Sequence, residues 1–218
     1  RVMRNTVSKF DYEVAVIGGG SGGYAAARTT AASGLKTAVI EGGEEVGGLC
    51  ILRGCMPTKA LLYAAEVRHL AQSGATWGLK PGRVAFDWRM VIGRKDAMIA
   101  DFATYRRRQL TGGRFKLLRT SATFLDPRTV RLGDGRRLRA KHFIIATGSV
   151  VAPPPLPALA EAGYLTSDDA IQLQRPPKSL IVLGGGAIAV EFAQFFARFD
   201  VRVTVLQRST QLLRDMDA

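Results

Sequence analysis

The chain has 218 residues, 47% hydrophobic and 22% charged, with a formal net charge of +13. That is enough apolar material for one large or two small cores; it argues against disorder, and no apolar run is long enough to span a bilayer. The excess of positive charge is scattered apart from Arg106-Arg107-Arg108 and the stretch Arg136 to Lys141, with no zinc-finger or RNA-binding signature, so it reads as a solvated basic surface that attracts anionic cofactors, not a nucleic-acid interface.

The start, Arg1 to Phe10, is mildly basic and lacks the apolar segment of a signal peptide. Val14–Ile17 is a short β-branched run expected to form a buried parallel strand. It enters Gly18-Gly19-Gly20-Ser21-Gly22-Gly23, a G-x-G-x-x-G fingerprint at Gly18, Gly20 and Gly23. An alanine-rich helix from Tyr24 to Ser33 follows, closed by Gly34, and then a strand, Thr37–Ile40, ending at Glu41. In this pattern Gly18 permits the tight turn, Gly20 admits a pyrophosphate to the backbone and Gly23 lets the helix pack on the strand. Glu41 stands where a carboxylate can accept both hydroxyls of a ribose. A lone fingerprint is weak, but strand, glycines, helix, strand and acid occur here in order.

The next glycine-rich stretch, Gly47 to Lys59, holds both cysteines of the chain, Cys50 and Cys55. If a helix opens at Cys50, position 55 falls little more than one turn later, close enough for the sulfurs to meet. So small a loop gains little stability from a disulfide, which would be there for chemistry. Two buried, reduced thiols are the alternative. Zinc is not expected, because the nearest further ligand, His69, lies a helix away. Two cysteines are too few for a secreted disulfide framework, and the setting is read as reducing and cytoplasmic.

Helices are expected over Thr58–Gln72 and Asp87–Leu110. Strands are expected over Phe115–Phe124, Thr129–Leu132, Leu138–Ala140 and Phe143–Ala146, with Asp134-Gly135 as a hairpin turn. Pro153-Pro154-Pro155-Leu156-Pro157 is stiff and marks a domain boundary near residue 150. The first pattern then repeats: strand Leu180–Leu183, then Gly184-Gly185-Gly186-Ala187-Ile188-Ala189, a helix to Phe199 and the strand Val201–Leu206. Ala189 takes the third glycine's place. Glu41 lies 23 positions past Gly18 and Gln207 lies 23 past Gly184, so the register is shared but the second acid is missing. With Arg208 next to it and Arg214 nearby, the second site suits a 2′-phosphate; ordinary surface arginines are the alternative.

Four ordered motifs carry a resemblance from Tyr12 to Asp217: the first fingerprint, the Cys50/Cys55 segment, Ala146-Thr147-Gly148, and the second fingerprint. Together they resemble the FAD-using pyridine nucleotide-disulfide oxidoreductases, in particular the group of dihydrolipoyl dehydrogenase, glutathione reductase and mercuric reductase. Val203 to Thr210 looks most like the mercuric reductase branch. The resemblance implies an α/β fold with two Rossmann-like dinucleotide-binding domains, an FAD-binding domain over 1–150 and the start of an NAD(P)-binding domain over 151–218, the second incomplete in this chain. It implies that Gly18, Gly20, Ser21, Gly22, Gly23, Gly48, Ala122, Ala146, Thr147 and Gly148 line FAD, with Glu41 on the adenosine ribose. Gly184, Gly186, Ala189, Arg208 and Arg214 would hold NADPH in preference to NADH. Lys59 would face the flavin N5 and pair with Glu191, although a plain surface lysine is the alternative. Cys50, nearer solvent, would attack a small-molecule disulfide or dithiol substrate, and Cys55 would face the flavin. A helix beginning here would favour both thiolates. A non-catalytic nucleotide-binding scaffold or redox sensor is the other reading.

The sequence also departs from that family. Leu49 replaces a threonine, Ile51-Leu52-Arg53 puts a cation between the cysteines, and Ala187 stands where some members place a tyrosine gate. The family's second FAD-contacting Gly-Asp segment, its dimerisation domain and its His-Glu acid–base pair are expected beyond residue 218, since His69 and His142 lack that context. The chain is therefore expected to be part of a longer homodimeric protein, poorly active alone. Its substrate (lipoamide, glutathione, Hg(II) or another) is not selected by these residues; no structural metal site is expected, and neither a nucleic acid nor a membrane is expected as a partner.

Overall fold

A computed structural model describes residues 9–80, 82–154 and 156–214. The basic start through residue 8, Pro155 of the proline-rich stretch, and the end of the resemblance at Asp217 lie outside them. The chain divides into two compact units, Arg1–Leu52 with Ala100–Val150, and Arg53–Ile99 with Val151–Ala218. Residues 53–99, assigned on sequence to a domain running through 150, thus cluster with the later segment.

The first unit is built on a six-stranded sheet. Its strands are β1 (Tyr12–Ile17), β2 (Thr37–Ile40), β3 (Lys116–Leu118), β4 (Ala122–Asp126), β5 (Thr129–Leu132) and β6 (Arg137–Ile145), in the order β3-β2-β1-β6-β5-β4. The β3-β2-β1-β6 half is parallel and β6-β5-β4 is antiparallel. Alternation along β1 serves two cores. Val14 and Val16 pack with Val39, with Leu110 and with Ala27 of α1 (Ser21–Ala32), whereas Ala15 packs with Ile40, Val130, Leu138 and Ala140. Helix α1 ends at Ala32, and Gly34, at φ +83°, turns the chain with its N–H on the Ala31 carbonyl at 3.1 Å.

Two expectations are corrected. Phe115–Phe124 is not one strand: β3 pairs in parallel with β2, and after a break at Arg119–Ser121 the chain restarts as β4 against β5. Leu138–Ala140 and Phe143–Ala146 are not two strands but the single β6, whose start pairs with β5 while the part from Ala140 to Ile145 pairs with β1. Period-two alternation cannot register a change of partner, which is why both were misread.

Of the remaining helices, α2 (Gly48–Leu52) belongs to the first unit and α3 (Cys55–Gln72) to the second, while α4 (Trp88–Thr111) has residues in both. The second unit also contains α5 (Ala158–Ala162), α6 (Ser167–Ala170), and the parallel strands β7 (Ser179–Leu183) and β8 (Arg202–Leu206) with α7 (Ala187–Ala197) between them. Its core is aromatic: Trp88 lies 5.5 Å from the ring of Phe195 and 5.5 Å from that of Phe199, with Phe192, Phe196, Leu61 and Ile92 around them. Trp88 also donates its indole N–H to the Leu173 carbonyl at 2.8 Å, so its one polar atom is satisfied. Arg68 is buried, stacks 4.7 Å from the ring centre of Phe86 and pairs with Asp200 at 2.7 Å.

Candidate functional site

In the first unit two glycines of the fingerprint make backbone contacts that only hydrogen can fill. Gly18 has φ +102°, and a Cβ on it would stand 2.2 Å from the Ala146 carbonyl oxygen; a Cβ on Gly23 would stand 1.8 Å from the Gly18 oxygen. The Ala146 N–H donates to the Ile17 carbonyl at 2.8 Å, which seats Ala146-Thr147-Gly148 beside the fingerprint. Gly20 is the residue before α1, extended, and Ser21 opens the helix, so unpaired amides of the first turn face this loop. Gly22 has open space where a side chain would be.

The cysteine segment begins against the same loop. A Cβ on Gly48, whose φ is +74°, would lie 2.5 Å from the Cα of Gly20. Glu41 accepts the Gly19 N–H on Oε2 and the Gly43 N–H on Oε1, each at 2.7 Å. Both oxygens expected on a ribose thus already hold a backbone bond, though a carboxylate has about four acceptor directions and two remain. Arg119 ties down the following loop through the Gly43 and Glu44 carbonyls. Ala122 opens β4 opposite Leu132, half-buried.

Cys50 is the third residue of α2, and Cys55 is the first of α3. The single helix entertained for this stretch is thus two, interrupted at Arg53-Gly54. Gly54 sits at φ −118°, ψ −115°, outside helical geometry. Cys50 is half-buried and Cys55 exposed. The local cause is that α2 buries its neighbour Ile51, whereas Cys55 begins a helix whose buried residues start two positions later at Pro57.

In the second unit Lys59, on the second turn of α3, donates to Glu191 Oε1 on α7. A pairing anticipated from the resemblance is made, between residues 132 positions apart. The second fingerprint opens with Gly184 at φ +105°, its N–H on the Leu206 carbonyl at 2.8 Å, and Gly186 precedes α7. Ala189, at the third position of α7, is half-buried. A cavity of about 590 Å³ is lined by Gly185, Gly186, Ala187, Gln207, Arg208, Ser209, Leu213 and Arg214. Both arginines selected from the sequence are therefore in one cavity with the second glycine loop.

A family model described as pyridine nucleotide-disulphide oxidoreductase matches residues 12–218. This chain belongs to the pyridine nucleotide-disulphide oxidoreductase family. Among similar family proteins is the dihydrolipoyl dehydrogenase of Acholeplasma laidlawii, 36% identical over 95% of this chain and 62% of that protein. The mercuric reductase of Staphylococcus aureus is also 36% identical, over 95% of this chain and 38% of that protein. Among solved structures, the HOCl-induced flavoprotein disulfide reductase RclA from Escherichia coli superposes with a TM-score of 0.80 at 28% identity, over 95% of this chain and 44% of that one. The chain thus spans between about a third and two thirds of these relatives' lengths.

Three features of this family member were not legible on sequence. Gln207, noted only as a missing acid, donates to Ser209 Oγ at 2.6 Å and to the Gln211 carbonyl at 3.3 Å, folding the loop that carries Arg208. At Gly185, between the two fingerprint glycines, a Cβ would meet Leu212 at 2.6 Å. The ion pair of Arg53 with Asp168, at 3.6 Å, joins residues 115 positions apart that no pattern connects. No helix among the described residues is long and apolar enough to cross a membrane.

Proposed function

We propose that the whole protein is an FAD-dependent NAD(P)H:disulfide oxidoreductase, with residues 1–150 holding FAD and residues from 151 onward holding the nicotinamide nucleotide. The observation that carries this reading is the contact of Gly48 with Gly20. It puts the segment bearing Cys50 on the mouth of the phosphate-binding loop, with no room for a side chain between them. A dinucleotide seated on Gly18, Gly20, Ser21, Gly22 and Gly23 would lie against α1's free amides, with Glu41, Gly48, Ala122 and Ala146-Thr147-Gly148 at its borders. A loop whose Gly18, Gly23 and Gly48 leave no room for side chains fits a dinucleotide such as FAD. Bound there, FAD would carry an electron pair from the nicotinamide to the cysteines.

The chain's own residues then do thiol chemistry. Once Cys50 and Cys55 are reduced, the Cys50 thiolate attacks a substrate sulfur, forming a mixed disulfide and releasing one substrate thiol. Cys55 attacks the Cys50 sulfur, closing the Cys50–Cys55 bridge and releasing the second thiol. Cys55 is the first residue of the 18-residue α3, so the resolving thiol sits at a helix start. Lys59, held by Glu191, supplies a cation one turn on. Around the second fingerprint Gly184, Gly186 and Ala189 take the pyrophosphate, and Arg208 and Arg214 in place of a carboxylate favour NADPH over NADH. The substrate is a small disulfide or dithiol, or a thiol-binding metal ion, and the whole protein is a cytoplasmic homodimer.

Anaerobic titration of the full-length protein with NADPH tests this reading. Reduction is expected to produce a long-wavelength flavin–thiolate absorbance that Cys55→Ser abolishes. A colourless protein that takes up no FAD would leave a scaffold instead of an enzyme.

A further inference from the structure

We propose that Arg53 is a specificity-determining residue that gives the cysteine pair a preference for disulfides carrying a carboxylate. This rests on the thiol–disulfide chemistry proposed above. Arg53 lies in the spacer, three positions after Cys50 and two before Cys55. It is one of several cations in the second unit, and three of the others have firmer commitments. Lys59 is hydrogen-bonded to Glu191. Arg68 is buried, binds both oxygens of Asp200 and donates to the Arg198 carbonyl. Arg198 is bonded to Glu66.

Arg53 meets Asp168 only at 3.6 Å, through Nε, and its side chain is 56% exposed. A contact this long and wet is weak. It orients the guanidinium without neutralising it, and four N–H donors remain on the terminal nitrogens. Asp168 is itself well placed for this. Of the two adjacent acids opening α6, Asp169 is committed to the cap, accepting the Thr166 N–H at 2.8 Å, while Asp168 is the one that faces Arg53. A substrate carboxylate can bind such a guanidinium in a two-point fork that Asp168 does not occupy.

The chemical step is thiolate attack on the reagent's disulfide, which forms one sulfur–sulfur bond, breaks another and expels a thiolate. Rates are measured on the reduced, flavin-loaded full-length protein. The probes are 5,5′-dithiobis(2-nitrobenzoate), which carries two carboxylates, and 4,4′-dithiodipyridine, which is uncharged. A Cys50/Cys55 double alanine variant gives the background to subtract. The ratio of the two rates cancels any general change in thiol reactivity. Arg53→Gln is expected to lower that ratio about five-fold, and Asp168→Asn to raise it. Should Arg53→Gln lose its flavin, Arg53→Lys, which keeps the charge but not the fork, is expected to give an intermediate ratio. A ratio unchanged by these substitutions overturns the assignment and leaves the cysteine chemistry standing. If the parent reacts with neither reagent above background, the cysteine chemistry fails and the assignment falls with it.

Discussion

Lys59 on α3 and Glu191 on α7 form an ion pair across the core of the second unit, their helices packed through Leu61, Ala65, Phe192 and Phe195. Both side chains are substantially exposed, 60% and 31%, so the pair adds little to stability, under about 1 kcal/mol. Its value lies in holding an ammonium in one orientation. Lys59→Met is expected to slow reduction of the cysteine pair by NADPH at least about ten-fold, with a thermal midpoint near the parent's. Glu191→Gln, which keeps a hydrogen-bond acceptor, is expected to slow it less. Stopped-flow absorbance and thermal unfolding on the same samples separate the two effects. An equal loss of stability and rate would make the pair structural.

The glycines make a sharper test, because their neighbours differ. Gly23→Ala puts a methyl 1.8 Å from the Gly18 oxygen, and Gly48→Ala puts one 2.5 Å from the Gly20 Cα. Neither obstacle is a flexible side chain. Each substitution is expected to destabilise the chain by more than about 2 kcal/mol or to abolish flavin retention. Gly22→Ala, one position away in the same fingerprint, meets nothing within 4 Å and is expected to keep both. Denaturant titration and bound-flavin absorbance report the outcome.

The cavity at the second fingerprint predicts a nucleotide preference. Arg208→Ala is expected to weaken NADPH binding about ten-fold and leave NADH nearly unchanged, since a charge-assisted bond to a 2′-phosphate is worth about 1.5–3 kcal/mol. Gln207→Glu restores a ribose-binding carboxylate and is expected to favour NADH. It also removes the donor that binds Ser209 and Gln211, so a disordered loop would weaken both nucleotides together. Fluorescence titration with the two nucleotides distinguishes these results.

Acid stability should depend on Glu13. The Lys36 N–H and then the Lys141 ammonium hold its carboxyl below the usual 4.5. A depressed folded value means that the stabilisation is present above the ordinary carboxylate range and is lost as pH falls below about 4.5 through the folded value. Glu13→Gln is expected to flatten that part of the stability–pH curve. Lys141→Ala should leave much of it, because the backbone bond is the larger cause. Carboxyl NMR titration checks the direction.

The repeated strand–glycine–helix–strand units were legible because each glycine answers a local demand, and Lys59–Glu191 was legible through resemblance. What escaped the sequence is long-range and non-repetitive. The split of Phe115–Phe124 depends on which strand lies alongside, and the grouping of residues 53–99 with the second unit depends on how Leu61 and Trp88 find the α7 phenylalanines. The break at Gly54 escaped as well, although glycine is a poor helix former and could have marked it.

Along β7 and β8 every second side chain is open to water, Ile181, Leu183 and Leu206 among them, each more than half exposed. A greasy pleated surface of that kind invites self-association in a concentrated solution. Preparations of this polypeptide by itself should bind hydrophobic dyes and scatter light as concentration rises. Lysine or threonine at those three sites is a practical remedy for anyone purifying it.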